Sequence, residues 1–129
     1  MPSFVKWTGL LSLLAGLAFF VPGMPPPVPG LPTGMATRLL GAEVALIGLL
    51  VALCASDLRR RGALVAWVGV LRLAVCAIMV MQATAGGDAM LAVGGLFDGA
   101  VGAVYLVGVP RHLGVGLVDL LRDRAVTPA

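Results

Sequence analysis

Four apolar stretches, each about as long as a bilayer is thick, constrain the fold of this chain more than any other feature. A helix needs ~20 mostly apolar residues to cross a membrane. The stretches run from about Phe4 to Val21, Thr37 to Ser56, Gly62 to Ala83 and Ala89 to Val109. We therefore predict four membrane-spanning helices.

The segments between these stretches are poor helix formers. Pro22 to Gly34 holds six prolines and cannot be helical. Asp57 to Arg61, DLRRR, is expected to be a tight charged turn in which Asp57 caps the third helix or pairs with an arginine. Thr84 to Asp88, TAGGD, is expected to be a glycine turn, and Pro110 should end the fourth span.

Composition supports a membrane protein. The chain has 129 residues, of which 60% are hydrophobic and 12% charged, and a mean hydropathy of +1.05. A small soluble domain has a larger fraction of charged and polar residues to form its surface. We predict the all-α class: an integral membrane four-helix bundle, formed as one transmembrane domain over residues 1–129.

Several partner and cofactor classes are not expected. The net charge of +3 comes without a basic run interleaved with aromatics, so nucleic acid is not a predicted partner. Cys54 and Cys76 form no CxxC pair, and no metal-ligand spacing or phosphate-binding loop occurs. We therefore predict no metal and no cofactor.

Basic residues predict the orientation. Arginine and lysine are enriched in cytoplasmic loops. If the chain crosses the membrane four times, most of its basic residues lie on one side of the membrane: Lys6, Arg59, Arg60, Arg61, Arg111, Arg122 and Arg124. Arg38 alone lies on the opposite side. The prediction is a multi-pass protein of the bacterial cytoplasmic membrane with both termini cytoplasmic, and Trp7 and Trp67 as interfacial anchors.

Two features at the ends of the chain leave alternatives open. Residues 1–22 also resemble a signal peptide, although FFVPG lacks an A-x-A cleavage pattern. Residues 111–124 are predicted to form a short amphipathic helix at the cytoplasmic interface. One face of that helix would carry Leu113, Leu117, Leu120 and Leu121. Anchoring is its expected role, with partner binding as the alternative.

Small residues predict how the spans pack, because hydrophobicity does not drive association between helices in lipid. The fourth span carries Gly94, Asp98, Gly102 and Tyr105 on one face, with Gly95 and Gly99 beside it. The first span has a similar stripe of Thr8, Ser12 and Gly16. Helix packing does not require the carboxylate of Asp98 in the middle of this face.

Glu43, Arg72 and Asp98 are ionisable residues in three different spans, where charge is expensive. At ~1.5 Å of rise per residue, they lie about 9, 16 and 14 Å from the outer ends of their spans. An arginine side chain reaches several ångström. We therefore predict that Arg72 contacts Asp98, Glu43 or both, with Gln82 and Tyr105 extending the polar site.

This cluster has two interpretations. Two carboxylates beside one cation in a low dielectric are costly to ionise together, so one acid is expected to keep its proton. Such an acid beside an arginine-paired carboxylate is a usable general acid. In the other interpretation the cluster is a structural ion pair that fixes the helix register.

The segment TRLLGAEVALIGLLVA, from Thr37 to Ala52, carries Arg38 at its start and Glu43 five residues after that arginine. In this segment and in its four-span layout the chain resembles small bacterial four-helix membrane proteins of the DoxX-like type. The resemblance implies the architecture, and some members are membrane partners of redox systems. It implies no functional residues.

Three functions fit the sequence. The first is a cofactor-independent isomerase or cyclase, or a binding protein, for a lipophilic small molecule such as an isoprenoid, quinone or polyketide. Glu43, Asp98 and Arg72 would be catalytic, and Gln82 and Tyr105 would bind substrate. The second is an accessory subunit of a larger membrane complex. The third is a small proton-coupled exporter acting as a homo-oligomer.

Overall fold

The computed structural model describes residues 1–21, 35–86 and 89–123. These residues are almost entirely helical and contain no strand. The helices are α1 (Pro2–Ala18), α2 (Met35–Cys54), α3 (Leu58–Thr84), α4 (Ala89–Leu113) and α5 (Leu117–Leu121). The all-α prediction is confirmed, and the four long helices lie at the predicted stretches. The proline-rich segment 22–34 lies outside the described residues.

The helices form two compact units. The N-terminal hairpin is Pro2–Ser56, with α1 and α2, and the C-terminal unit comprises Met1 and Asp57–Ala129, with α3, α4 and α5. Each unit has its own interface, between α1 and α2 in one and between α3 and α4 in the other. The prediction of one domain stays a prediction.

Glycines form the interface of the N-terminal hairpin. Gly9 and Gly16 on α1 are seven residues apart, as are Gly41 and Gly48 on α2. A Cβ added at Gly48 would lie 2.7 Å from the Gly9 carbonyl oxygen, and one at Gly16 would lie 2.6 Å from that of Gly41. These pairings make α1 and α2 antiparallel, with their backbones in contact.

This contact predicts the effect of a larger residue. Gly48→Val should destabilise the hairpin by ~1–3 kcal/mol, because the added atoms meet backbone that must move apart. The measurement is thermal unfolding in detergent followed by circular dichroism. Ala42→Val introduces the same residue on the exposed side of α2 and should have little effect. Equal losses in both variants would contradict the contact.

The predicted stripe on α1 is largely in place. Thr8 and Gly16 are buried, and Ser12 is partly buried. The Thr8 hydroxyl donates to the Phe4 carbonyl at 2.8 Å, and the Ser12 hydroxyl donates to the Thr8 carbonyl at 3.0 Å. Both hydroxyls thus satisfy their donors within α1, as polar groups in an apolar helix must.

α3 begins earlier than the sequence predicts. DLRRR was expected to be a turn, but Asp57 ends a short 3₁₀ turn (Ala55–Asp57) and the arginines lie in the first turn of α3. The Arg60 amide donates to Asp57 Oδ1 at 3.4 Å, so the predicted capping role of Asp57 is confirmed. Arg60 Nε also lies 3.8 Å from Asp57 Oδ2.

α4 ends later than predicted. Pro110 was expected to stop the helix, but α4 continues through it to Leu113. Gly114 ends the helix instead, with a φ of +70° that glycine adopts at little cost. The Val115 amide donates to the Pro110 carbonyl at 3.1 Å across this end.

The helix predicted over 111–124 is therefore divided. Its first residues belong to α4, and α5 covers only Leu117–Leu121. α5 packs against α3, where Leu120 is fully buried and the Trp67 indole N–H donates to the Leu121 carbonyl at 3.1 Å. Part of the predicted leucine face is thus covered by protein.

Two helical segments of the described chain are long and apolar enough to cross a membrane, Arg38–Thr84 and Ala92–Leu113. The first has 47 residues and runs through most of α2, the 3₁₀ turn and α3. Large apolar side chains are exposed on all four long helices.

Candidate polar site

Glycines bring α3 and α4 into close contact. A Cβ added at Gly69 of α3 would lie 3.0 Å from the Gly102 carbonyl oxygen, and one at Gly102 would lie 2.8 Å from that of Gly69. Nearer the start of α4, Gly95 and Gly99 lie against Cys76 and Met79 of α3. The small face predicted on the fourth span therefore packs against the third, in antiparallel register.

Arg72 and Asp98 form an ion pair across this interface. The Arg72 Nη1 group donates to Asp98 Oδ1. The Arg72 side chain is 11% exposed and that of Asp98 is 23% exposed. The prediction that Arg72 contacts Asp98 is confirmed, and the pair ties α3 to α4 near the middle of both helices.

Tyr105 completes the cluster from one side. It lies seven residues after Asp98, two turns further along α4, and is fully buried. Its ring centroid lies 5.9 Å from Arg72 Cζ, within the range of a cation–π contact. The guanidinium is thus held between a carboxylate and an aromatic face.

Asp98 is engaged through one of its two carboxylate oxygens. Its hydrogen bond with Arg72 uses Oδ1. Almost a quarter of the side chain is exposed. A carboxylate fixed in this way can accept a hydrogen bond or a proton from a molecule that reaches the exposed side.

Gln82 is distant from Arg72 along α3, and the predicted contact of Arg72 with Glu43, which belongs to the other unit, stays a prediction. Gln82 is ten residues beyond Arg72 on α3, about 15 Å of helical rise away, and its side chain is exposed. Glu43 lies on α2 of the N-terminal hairpin and is also exposed. The cluster within the C-terminal unit consists of Arg72, Asp98 and Tyr105.

The described residues hold no group of three or more potential metal ligands among histidine, cysteine and acidic side chains. Cys76 lies against glycines of α4, where a Cβ at Gly99 would be 2.6 Å from its sulfur. Its thiol therefore fills the space that the glycines leave, as expected of a small apolar residue.

The close approach at Gly69 was not anticipated from the sequence. The sequence does contain an indication of this contact. Gly69 lies three residues before Arg72 and therefore on nearly the same face of α3. The α4 face was identified from the four-residue spacing of its glycines, but the α3 side has a single glycine at this point.

No family model, no curated protein and no solved structure matches this chain. The resemblance of Thr37 to Ala52 to DoxX-like proteins therefore stays a prediction.

Proposed function

We propose that this chain is a small multi-pass membrane protein whose Arg72–Asp98–Tyr105 cluster binds the polar group of a lipophilic small molecule. The observation that carries the proposal is an ion pair in the middle of two apolar helices whose carboxylate is partly exposed. Intramembrane charges commonly mark substrate or proton sites.

Membrane location is supported by several properties of the helices. The two spanning segments cover most of α2, α3 and α4, and exposed leucines, phenylalanines and valines are frequent on the long helices. α1 is 17 residues long and equally apolar in character. With the asymmetry of basic residues, four crossings with both termini cytoplasmic account for these features.

We expect the partly exposed Asp98 carboxylate to accept a proton or a hydrogen bond from a hydroxyl or an activated C–H group, while Arg72 would stabilise a developing negative charge on the same molecule. Proton movement of this kind suits isomerisation or cyclisation and requires no cofactor. The molecule would reach Asp98 from the lipid, because its polar group is small and its body apolar.

Stabilisation by ligand tests this site. Farnesol and a short-chain hydroquinone, each with a hydroxyl that can donate to Asp98, should be added separately to the purified protein in detergent, and the melting temperature should rise for at least one. A ligand at 100 times its Kd stabilises by ~2.7 kcal/mol. Asp98→Asn keeps the shape of the side chain but should lose most of the shift.

Asp57→Asn is the matched control for this measurement, because Asp57 caps α3 at its end, away from the cluster. It should lower the melting temperature slightly and keep the full shift with ligand. An equal shift in wild type and Asp98→Asn would place the ligand elsewhere, and the cluster would then be structural.

Glu43 favours a second function, that of an accessory subunit in a larger membrane complex. This carboxylate is exposed on α2, and its neighbours Leu39, Leu46 and Leu50 are exposed as well. A carboxylate on an apolar helix surface is stabilised by a donor or a cation from a second protein. In this case the ion pair of Arg72 and Asp98 would only maintain the shape of the subunit.

A further inference from the structure

We infer that the basic end of the C-terminal unit binds the phosphate group of an anionic phospholipid. The basic end comprises five arginines from three elements: Arg59, Arg60 and Arg61 at the start of α3, Arg111 near the end of α4, and Arg122 after α5. The inference rests on the membrane location in the proposed function, but not on the Asp98 site.

The fold brings these three elements together. A Cβ added at Gly62 would lie 2.7 Å from Leu113 Cδ1 of α4 and 3.3 Å from Leu120 Cδ1 of α5. The start of α3, the end of α4 and the whole of α5 therefore share one end of the unit. Arginines that are far apart in sequence therefore lie at the same end of the unit.

The charge balance at this end is positive. The five arginines are accompanied by three aspartates in the described residues, Asp57, Asp119 and Asp123, which leaves a net charge of +2 with His112 neutral. Asp57 lies 3.8 Å from Arg60, whose side chain is nevertheless 84% exposed. Arg59, Arg111 and Arg122 are exposed too.

An apolar stripe continues directly from Arg60. Residues at intervals of four and three share one face of a helix. On α3 this face carries Arg60, Leu64, Trp67 and Leu71, and the last three are 60%, 54% and 46% exposed. A charged residue followed by three exposed apolar residues matches a phospholipid, with its phosphate on the arginine and its acyl chain along the stripe.

Trp67 is held in position for this role. Its indole N–H donates to the Leu121 carbonyl at 3.1 Å, so the ring is fixed between α3 and α5 while more than half of it remains exposed. Tryptophan prefers the level of lipid headgroups. A soluble phosphate ion or a phosphorylated peptide would bind the arginines but would not require the exposed apolar stripe of Leu64, Trp67 and Leu71.

Native mass spectrometry of the full chain in detergent tests the inference. Phosphatidylglycerol and phosphatidylcholine with identical acyl chains should be titrated separately, and retention of the anionic lipid should be stronger. The double variant Arg59→Gln and Arg60→Gln should weaken this retention at least about fivefold, since each basic residue near an anionic surface contributes about that factor.

Arg38→Gln is the matched control, because it removes one arginine from α2 instead. It should retain phosphatidylglycerol like the wild type. Trp67→Ala should weaken both lipids, because it shortens the apolar stripe. Circular dichroism confirms that each variant is folded, and Arg60→Gln alone replaces the double variant if that one is not.

Three results would overturn the inference. They are equal retention of the two lipids by the wild type, unchanged retention in the arginine variants, and displacement of phosphatidylglycerol by inorganic phosphate at matched concentration. The last would indicate a site for free phosphate. None of them affects stabilisation by farnesol or hydroquinone through Asp98, so the two proposals fail separately.

Discussion

Arg72→Ala is expected to lower the melting temperature of the purified protein in detergent far more than Arg59→Ala does. Arg72 is nearly covered and paired with Asp98, so its removal leaves a carboxylate without its counter-charge inside an apolar interface. Breaking a buried pair in this way costs ~3–5 kcal/mol. Thermal unfolding followed by circular dichroism measures the difference.

Arg59 is the matched control because it is the same residue type on the same helix with an exposed side chain. Its replacement should change stability by ~0.5 kcal/mol or less. The double variant Arg72→Leu and Asp98→Leu should recover much of the loss, since apolar replacement of a whole buried pair is often neutral. Equal melting temperatures for Arg72→Ala and Arg59→Ala would show that the pair contributes nothing.

The sequence predicts the positions of the helices and one of the contacts between them. Apolar runs locate helices because a long apolar segment without prolines has few other structures available. Arg72 and Asp98 were matched by their similar distance from the ends of their helices, and the ion pair joins them. Depth works as a guide here because antiparallel helices in direct contact align residues at the same level.

The helix ends were predicted less well, because local rules were given too much weight. Pro110 removes one amide donor from α4, but the helix continues for three more residues to Leu113, and Gly114 with its positive φ ends it. Arg59 to Arg61 were assigned to a turn because they are charged. Arginine is a good helix former, and the cap from Asp57 allows α3 to begin before them.

The faces of the helices were predicted only where small residues mark them. The glycines of α4 revealed its packing face, and those of α1 and α2 carry the same information in their seven-residue spacing. Glu43 had no comparable marker, because leucines surround it on several sides of α2. Depth alone predicts its contact with Arg72, and because the two residues belong to different units this contact stays a prediction.

Tyr105→Ala should be the second strongly destabilising substitution in the C-terminal unit. Tyr105 is among the largest fully buried side chains, and its ring covers the guanidinium of Arg72. Truncation of a buried aromatic residue to alanine costs ~3–5 kcal/mol through the cavity that remains. The loss would also expose the ion pair to water, so the measurement should be the melting temperature in detergent at low and at high salt.

Tyr105→Phe is the matched variant, because it keeps the ring and most of the volume and removes only the hydroxyl. The free energy of unfolding of this variant should fall by no more than ~1.5 kcal/mol, the usual net contribution of one hydrogen bond. Salt should lower the stability of Tyr105→Ala further and leave Tyr105→Phe unchanged, because only an exposed ion pair is screened. If the two variants are equally destabilised, the hydroxyl matters more than the ring, and the cation–π contact is not what positions Arg72 against Asp98.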